Sequence, residues 1–254
     1  MKRLLFLFAV TVIFSSTFVF AQEQDDEPLP PKRLAAKLGG AGGFTTSWLF
    51  MDVDPINQLL IKNSAQELSK GGMPLYGGQG YAYLMLMNNF RIGGMGVSGT
   101  RKTNSIEPAT NIRRDVELTV GYGGVTADYV IPLSSRLDLT LGMFLGSGGL
   151  DFKITKDNGS NVVWDSLWTN YGSSDSIQNY SQKLSGSFFI YQPSVNLEYA
   201  LMRWFGVRLG ASYMGMSGGS WKLDDKYDIV NVPDNINGKG WMINTGVFIG
   251  TFMF

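Results

Sequence analysis

From Leu184 to Met216 the chain alternates apolar residues with small or polar ones. Phe189, Tyr191, Val195, Leu197, Tyr199 and Leu201 share one face, and Ser194, Asn196 and Glu198 share the other. Past Met202-Arg203-Trp204 the alternation resumes, with Phe205, Val207, Leu209, Ala211 and Tyr213 opposed to Arg208 and Ser212. A period of two predicts strands, and so short an interruption predicts a hairpin. Folded about Arg203, the hairpin sets Leu197 opposite Leu209, Tyr199 opposite Val207 and Glu198 opposite Arg208.

Similar patterns recur along the chain. Gly39–Phe50 alternates Phe44, Thr46, Trp48 and Phe50 with Thr45, Ser47 and Leu49. Further strands are predicted over Gly78–Asn88, over Arg91–Thr100 and from Arg114 to Pro132. In the last of these the apolar phase changes at Gly123-Gly124, from Val116, Leu118, Val120 and Tyr122 to Val125, Ala127, Tyr129 and Ile131, which predicts a bulge or corner. A tight turn near Ser134 is expected to pair Ile131 with Leu137 and Tyr129 with Leu139. Leu137–Leu145 follows, then the opening hairpin, then a last strand Trp241–Phe254. Between the first two strands, Asp54 before Pro55 predicts an N-capped helix from Pro55 to about Leu68. It is either a helical loop packed on a rim or, through Ile56, Leu59 and Leu60, a lid over a lumen.

The tally is eight strands joined by connections that alternate long and short. The long ones are the helical segment, Arg101–Arg113, Asp157–Lys183 and Lys222–Lys239. This is an all-β chain, read as an eight-stranded antiparallel up-and-down transmembrane β-barrel with one short helix in its first long loop. The faces follow from cost. An arginine facing lipid near mid-membrane costs roughly 2–4 kcal/mol. Glu198 and Arg208 therefore turn inward as a pair, and Leu197, Tyr199, Val207 and Leu209 turn outward. Asp128 and Asp138 are placed in the lumen on the same ground. Eight strands enclose little more than their own side chains, which favours a structural charge ladder over a conduit.

The N-terminus changes the picture by implying export. Lys2 and Arg3 precede the apolar run Leu4–Phe20, and Val19-Phe20-Ala21 has the form of a cleavage site, so residues 1–21 read as a signal peptide cleaved after about Ala21. Residues 22–38 read as a flexible periplasmic arm and 39–254 as the barrel. Without Lys2 and Arg3 the 21 basic residues fall to 19 against 21 acidic, a near balance that gives no case for nucleic acid.

With no cysteine and no histidine, the chain offers no thiolate or imidazole chemistry and no site for acylation. Asp224-Asp225 reads as a turn, Asp52-x-Asp54 as a helix start lacking further calcium ligands, and the Met-x-Met pairs as packing. No catalytic residue, cofactor or metal site is assigned, and an enzyme is not expected.

The final stretch WMINTGVFIGTFMF ends on Phe254, with Phe252 and Phe248 in the same phase. It resembles the last strand of bacterial outer-membrane barrels, which the insertion machinery reads. With the signal peptide and loop alternation, the mature chain resembles a small outer-membrane barrel of OmpA, OmpX or OmpW architecture, with no one family singled out. The resemblance implies a Gram-negative outer membrane, lipid around the barrel, and the insertion machinery as a partner. Two roles stand open: a structural or surface-interaction protein, and a small passive channel or apolar-solute carrier gated by the 55–68 helix.

Overall fold

The computed structural model describes residues 39–84, 86–157, 164 and 180–251. The described residues form nine strands: β1 (Gly40–Met51), β2 (Met73–Tyr83), β3 (Phe90–Glu107), β4 (Ile112–Pro132), β5 (Leu137–Asp157), β6 (Tyr180–Met202), β7 (Phe205–Leu223), β8 (Tyr227–Ile229) and β9 (Gly240–Gly250). Each of β1 to β6 pairs antiparallel with its successor, and β9 pairs with both β7 and β1. Those eight strands close a ring, which removes the exposed edges of an open sheet. The three-residue β8 pairs with the top of β7 and lies outside the ring.

The hairpin β6–β7 has the expected register, with Leu197↔Leu209, Glu198↔Arg208 and Tyr199↔Val207. Elsewhere the boundaries move. The β4–β5 turn is one step further on, pairing Ile131 with Leu139 and Tyr129 with Leu141 rather than with Leu137 and Leu139. Ser134 causes the shift. Its Oγ accepts from the Leu137 amide at 3.1 Å, and the Leu137 carbonyl accepts from Leu133 and Ser134, which closes a four-residue turn. β2 begins at Met73 and stops at Tyr83, so the expected Gly78–Asn88 strand is displaced toward the N-terminus and Met87 falls in a turn.

Three of the expected long loops are shortened by strands that run past the barrel wall. β3 and β4 continue to Glu107 and from Ile112, leaving a short turn in place of a loop over Arg101–Arg113. β5 reaches Asp157, β6 starts at Tyr180 and β7 reaches Leu223. The residues between β5 and β6, apart from Trp164, lie outside the described residues, as do the N-terminal 38 and Phe252 to Phe254. β7 meets β9 only from Phe205 to Met214, so β3 to β7 rise beyond the rim set by β1, β2 and β9.

Over the height shared by all eight strands, the outward residues of the ring are apolar or small. Phe44 and Trp48 on β1, Tyr129 and Val125 on β4, Leu141, Met143 and Leu145 on β5, and Trp241 and Ile249 on β9 are all exposed. No bulge occurs at Gly123-Gly124, where β4 keeps unbroken register with β3 and β5. The apolar phase changes because the interior changes. Val116, Leu118, Val120 and Tyr122 face into an apolar core, whereas lower down Thr126 and Asp128 face in and Val125 and Tyr129 face out. A break in register lies on β7 instead, between Ser187↔Ser220 and Phe189↔Ser217, and a second beside the hairpin turn between Ala200 and Met202. At the first, Gly218 has φ +61, open to glycine, and beyond it Trp221 turns inward.

The helix α1 (Asp54–Lys62) is shorter than expected. Asp54 lies in its first turn rather than at the cap, and its amide donates to Asp52 Oδ1 at 2.9 Å. Ser64 ends the helix at φ +55, with the Ala65 amide bonded to the Leu60 carbonyl and the Ser64 amide to that of Ile61. The chain then turns back over the helix. Buried Asn57 donates to the Leu68 carbonyl at 3.0 Å and accepts from the Leu68 amide at 2.8 Å.

Candidate functional site

Four ionised side chains from four strands meet inside the barrel near the short-turn end. Arg91 on β3 and Asp128 on β4 are cross-strand neighbours, and the Arg91 Nε donates to Asp128 Oδ2 at 2.9 Å. The two terminal nitrogens of Arg91 fork onto Glu198 of β6, with Nη1 2.8 Å from Oε2 and Nη2 bonded to Oε1. Because β4 and β5 lie between β3 and β6, this fork crosses the lumen. Arg208 Nε donates to Glu198 Oε1 at 2.7 Å, and its Nη1 donates to Gln79 Oε1 on β2 at 2.5 Å.

Aromatic rings close the layer from below. The Tyr81 ring lies 3.8 Å under the Arg91 guanidinium and its hydroxyl donates to Glu198 Oε2 at 3.3 Å, while Arg208 sits 4.3 Å over Phe248. Phe248 therefore faces the lumen, and β9 turns Trp241, Ile243, Val247 and Ile249 outward. Two cations and two carboxylates cancel, all four are buried, and Arg91 is 0% exposed. A buried charge without a partner is costly, so neutrality is what lets the group persist in so dry a place.

Of the residues expected in the lumen, Glu198, Arg208 and Asp128 come together. Asp138 shares their inward parity opposite Glu198 but lies half-buried toward the turn end. Arg91, the residue that links the others, reads in the sequence only as the start of a strand. Its signal was charge balance, since three inward carboxylates against one arginine call for a second cation on an alternating strand.

Above the charges runs a second polar layer, centred on Ser212 of the hairpin's polar face and joined by Gln192 and Asn244, which the sequence pattern did not single out. Ser47 donates to Asn244 Oδ1 at 2.8 Å, and Asn244 Nδ2 donates to Ser212 Oγ at 2.9 Å. Gln192 Nε2 donates to the same Ser212 at 2.8 Å and its Oε1 accepts from Tyr122 at 2.9 Å. The chain of bonds laces β1, β9, β7, β6 and β4 together. The void left among these layers is about 20 Å³, about the space of one water.

Higher still, Leu118, Leu150, Ile190 and Met214 pack to full burial, and α1 closes the core with Ile56 and Leu60. Leu59, the third expected lid residue, is 48% exposed in place of being buried with them. It borders a separate apolar cavity of about 610 Å³ between α1 and the inner faces of β4 to β7.

No protein-family model matches the chain, and no curated protein does. Among solved structures it is similar to Ail, the attachment invasion locus protein of Yersinia pestis, at 13% identity and TM-score 0.40, over 85% of this chain and 99% of that one. It is also similar to a major outer membrane protein from Thermus thermophilus, at 9% identity and TM-score 0.41, over 84% and 98% of the two chains. A third is Neisserial surface protein A, at 10% identity and TM-score 0.35, over 86% and 99%. The closed ring itself, apolar outside and charged within, defines the class. This is a small β-barrel of the outer-membrane type, eight-stranded and up-and-down.

Proposed function

We propose that the protein is exported by the signal in residues 1–21, inserts into the outer membrane, and acts there as a structural or surface-interaction barrel. Residues 22–38 form its periplasmic arm, the last strand ending at Phe254 is what the insertion machinery meets, and the long-loop end of β3 to β7 faces outward from the cell. One observation carries the choice against a conduit: the Arg91–Glu198 fork spans the interior with about 20 Å³ of void beside it. Water or ions would have to break a charge-assisted, bidentate bond to pass. The apolar core and α1 add a second obstruction above it.

Planar-bilayer recording of the refolded protein tests this reading. No conductance steps are expected from the full chain, or after deletion of residues 55–68. Steps from the full chain that grow on that deletion would establish the gated channel instead.

A further inference from the structure

The cavity beneath α1 is walled on three sides. Ile56, Leu59 and Leu60 come from the helix, Val116 and Ile154 from the extended parts of β4 and β5, and Trp221 from β7 beyond the Gly218 bulge. Its inner end is Val116, Phe152 and Trp221, members of the same buried core as Leu118 and Leu150, and beneath that core lie the polar and charged layers, so it is blind. Its volume of about 610 Å³ falls in the range of small-molecule sites, roughly 300–1,000 Å³. Apolar walls facing a space of this size favour an apolar occupant over water.

The rim adds a charge preference. Arg114 on β4 and Lys156 on β5 are direct cross-strand partners, share the inward parity of Val116 and Ile154, and both border the cavity. Like charges placed opposite one another in a sheet repel. Glu107, outside the lining, bonds to Arg114 at 3.2 Å and also attracts Lys156, and Asp115, which borders the cavity, is engaged by Arg113 at 2.8 Å. The charged side chains that border the hollow itself are two cations, Arg114 and Lys156, and one carboxylate, Asp115.

We infer that this cavity binds an anionic single-chain amphiphile, of which a long-chain carboxylate is the simplest, with the chain under α1 and the head between Arg114 and Lys156. The site holds its ligand and releases it by the same mouth, since the lumen below is closed. It is independent of whether the barrel has a surface partner.

The absence of native cysteine makes the test direct. Ile154→Cys places a thiol in the cavity, and Lys153→Cys places one on the opposite face of the same strand. Each full-length variant, in lipid nanodiscs, is labelled with a charged maleimide in the presence of dodecanoate or its methyl ester. Dodecanoate is expected to slow labelling at Ile154→Cys about tenfold, as a site nine-tenths occupied would, and to leave Lys153→Cys unchanged. Adding Lys156→Ala should raise the half-protecting concentration of dodecanoate about threefold, the size of one exposed charge pair, without affecting the ester. Leu184→Cys serves as a second reporter should Ile154→Cys fail to give the heat-modifiable band of a folded barrel. Three outcomes overturn the proposal: labelling indifferent to dodecanoate, equal slowing at Lys153→Cys, or a thiol blocked before any ligand is added because the chain fills its own cavity.

Discussion

Arg91 and Glu198 are 107 positions apart and sit on strands separated by two others, yet the guanidinium of one forks onto the carboxylate of the other across the barrel interior. The bond acts as a transverse brace. Around the ring the strands are held by backbone pairing and by side-chain bonds between near neighbours, whereas this contact fixes the far wall at a set distance. It also gives Glu198 two arginine partners, because Arg208 reaches it from the adjacent strand.

Arg91→Ala should be the most damaging single change in the lumen. It leaves Asp128 without its cation and Glu198 with one, and uncovering a buried partner costs about 3–5 kcal/mol. Arg208→Ala should cost less, since the fork from Arg91 persists. Arg203→Ala, at the exposed β6–β7 turn, should stay within about 0.5 kcal/mol of the parent. Urea midpoints of the refolded barrels give the order, and equal midpoints for Arg91→Ala and Arg203→Ala would remove the brace from the account.

Glycines on the two faces should respond oppositely to a methyl group. A Cβ on Gly142 would lie 2.4 Å from Asp128 Oδ1 and 2.6 Å from Ser194 Oγ, inside the charge layer. A Cβ on Gly94, facing outward, would meet nothing closer than 3.5 Å. Gly142→Ala is expected to destabilise by about 1–3 kcal/mol through overpacking, and Gly94→Ala to be near neutral. The same unfolding assay separates them.

The outer wall was legible because lipid imposes one rule on every strand, so alternation alone placed Leu197, Tyr199 and Leu209 outside and Glu198 and Arg208 inside. The interior obeys no single rule. It is aromatic at Phe248, charged at Arg91, polar at Ser212 and Asn244, and apolar at Leu118, and each medium selects its own side chains. That is why the phase of β4 looks broken at Gly123-Gly124 although the backbone is regular there. Strand ends were hidden for a related reason. Past the membrane Arg101 to Ser105 and Arg113 to Asp115 are polar on both faces, so pairing continues with no hydrophobic pattern to announce it. Arg91 opposes Asp128 on the neighbouring strand, but its fork onto Glu198 crosses the barrel, a contact that cross-strand parity cannot foretell.

Asn57 should hold the segment that folds back over α1. Its side chain makes both hydrogen bonds to the Leu68 backbone, and Leu68 is itself buried in the core. Asn57→Ala strands a buried amide and carbonyl, a loss of about 1–3 kcal/mol each before relaxation. The expected result is faster amide exchange over residues 65–70, with the exchange of β3 to β7 unchanged. Uniform acceleration throughout the barrel would mean that the segment belongs to the global fold rather than to a separable lid.

The position of the membrane follows from where charge is tolerated on the outer face. Leu209 faces out at 57% exposure, a few residues from the β6–β7 turn and level with Thr245 and Leu197. Thr100 also faces out, but on β3 at the rim, where Lys102 follows on the same face and pairs with Glu117 at 2.9 Å. Leu209→Arg should therefore cost about 2–4 kcal/mol in reversible folding into lipid, and Thr100→Arg about 0–1 kcal/mol, the contrast of mid-membrane with interface. In detergent micelles, which adapt to an added charge, the gap should narrow. Equal costs for the two in lipid would place both positions at the same depth, and the apolar wall would then need another explanation than a bilayer.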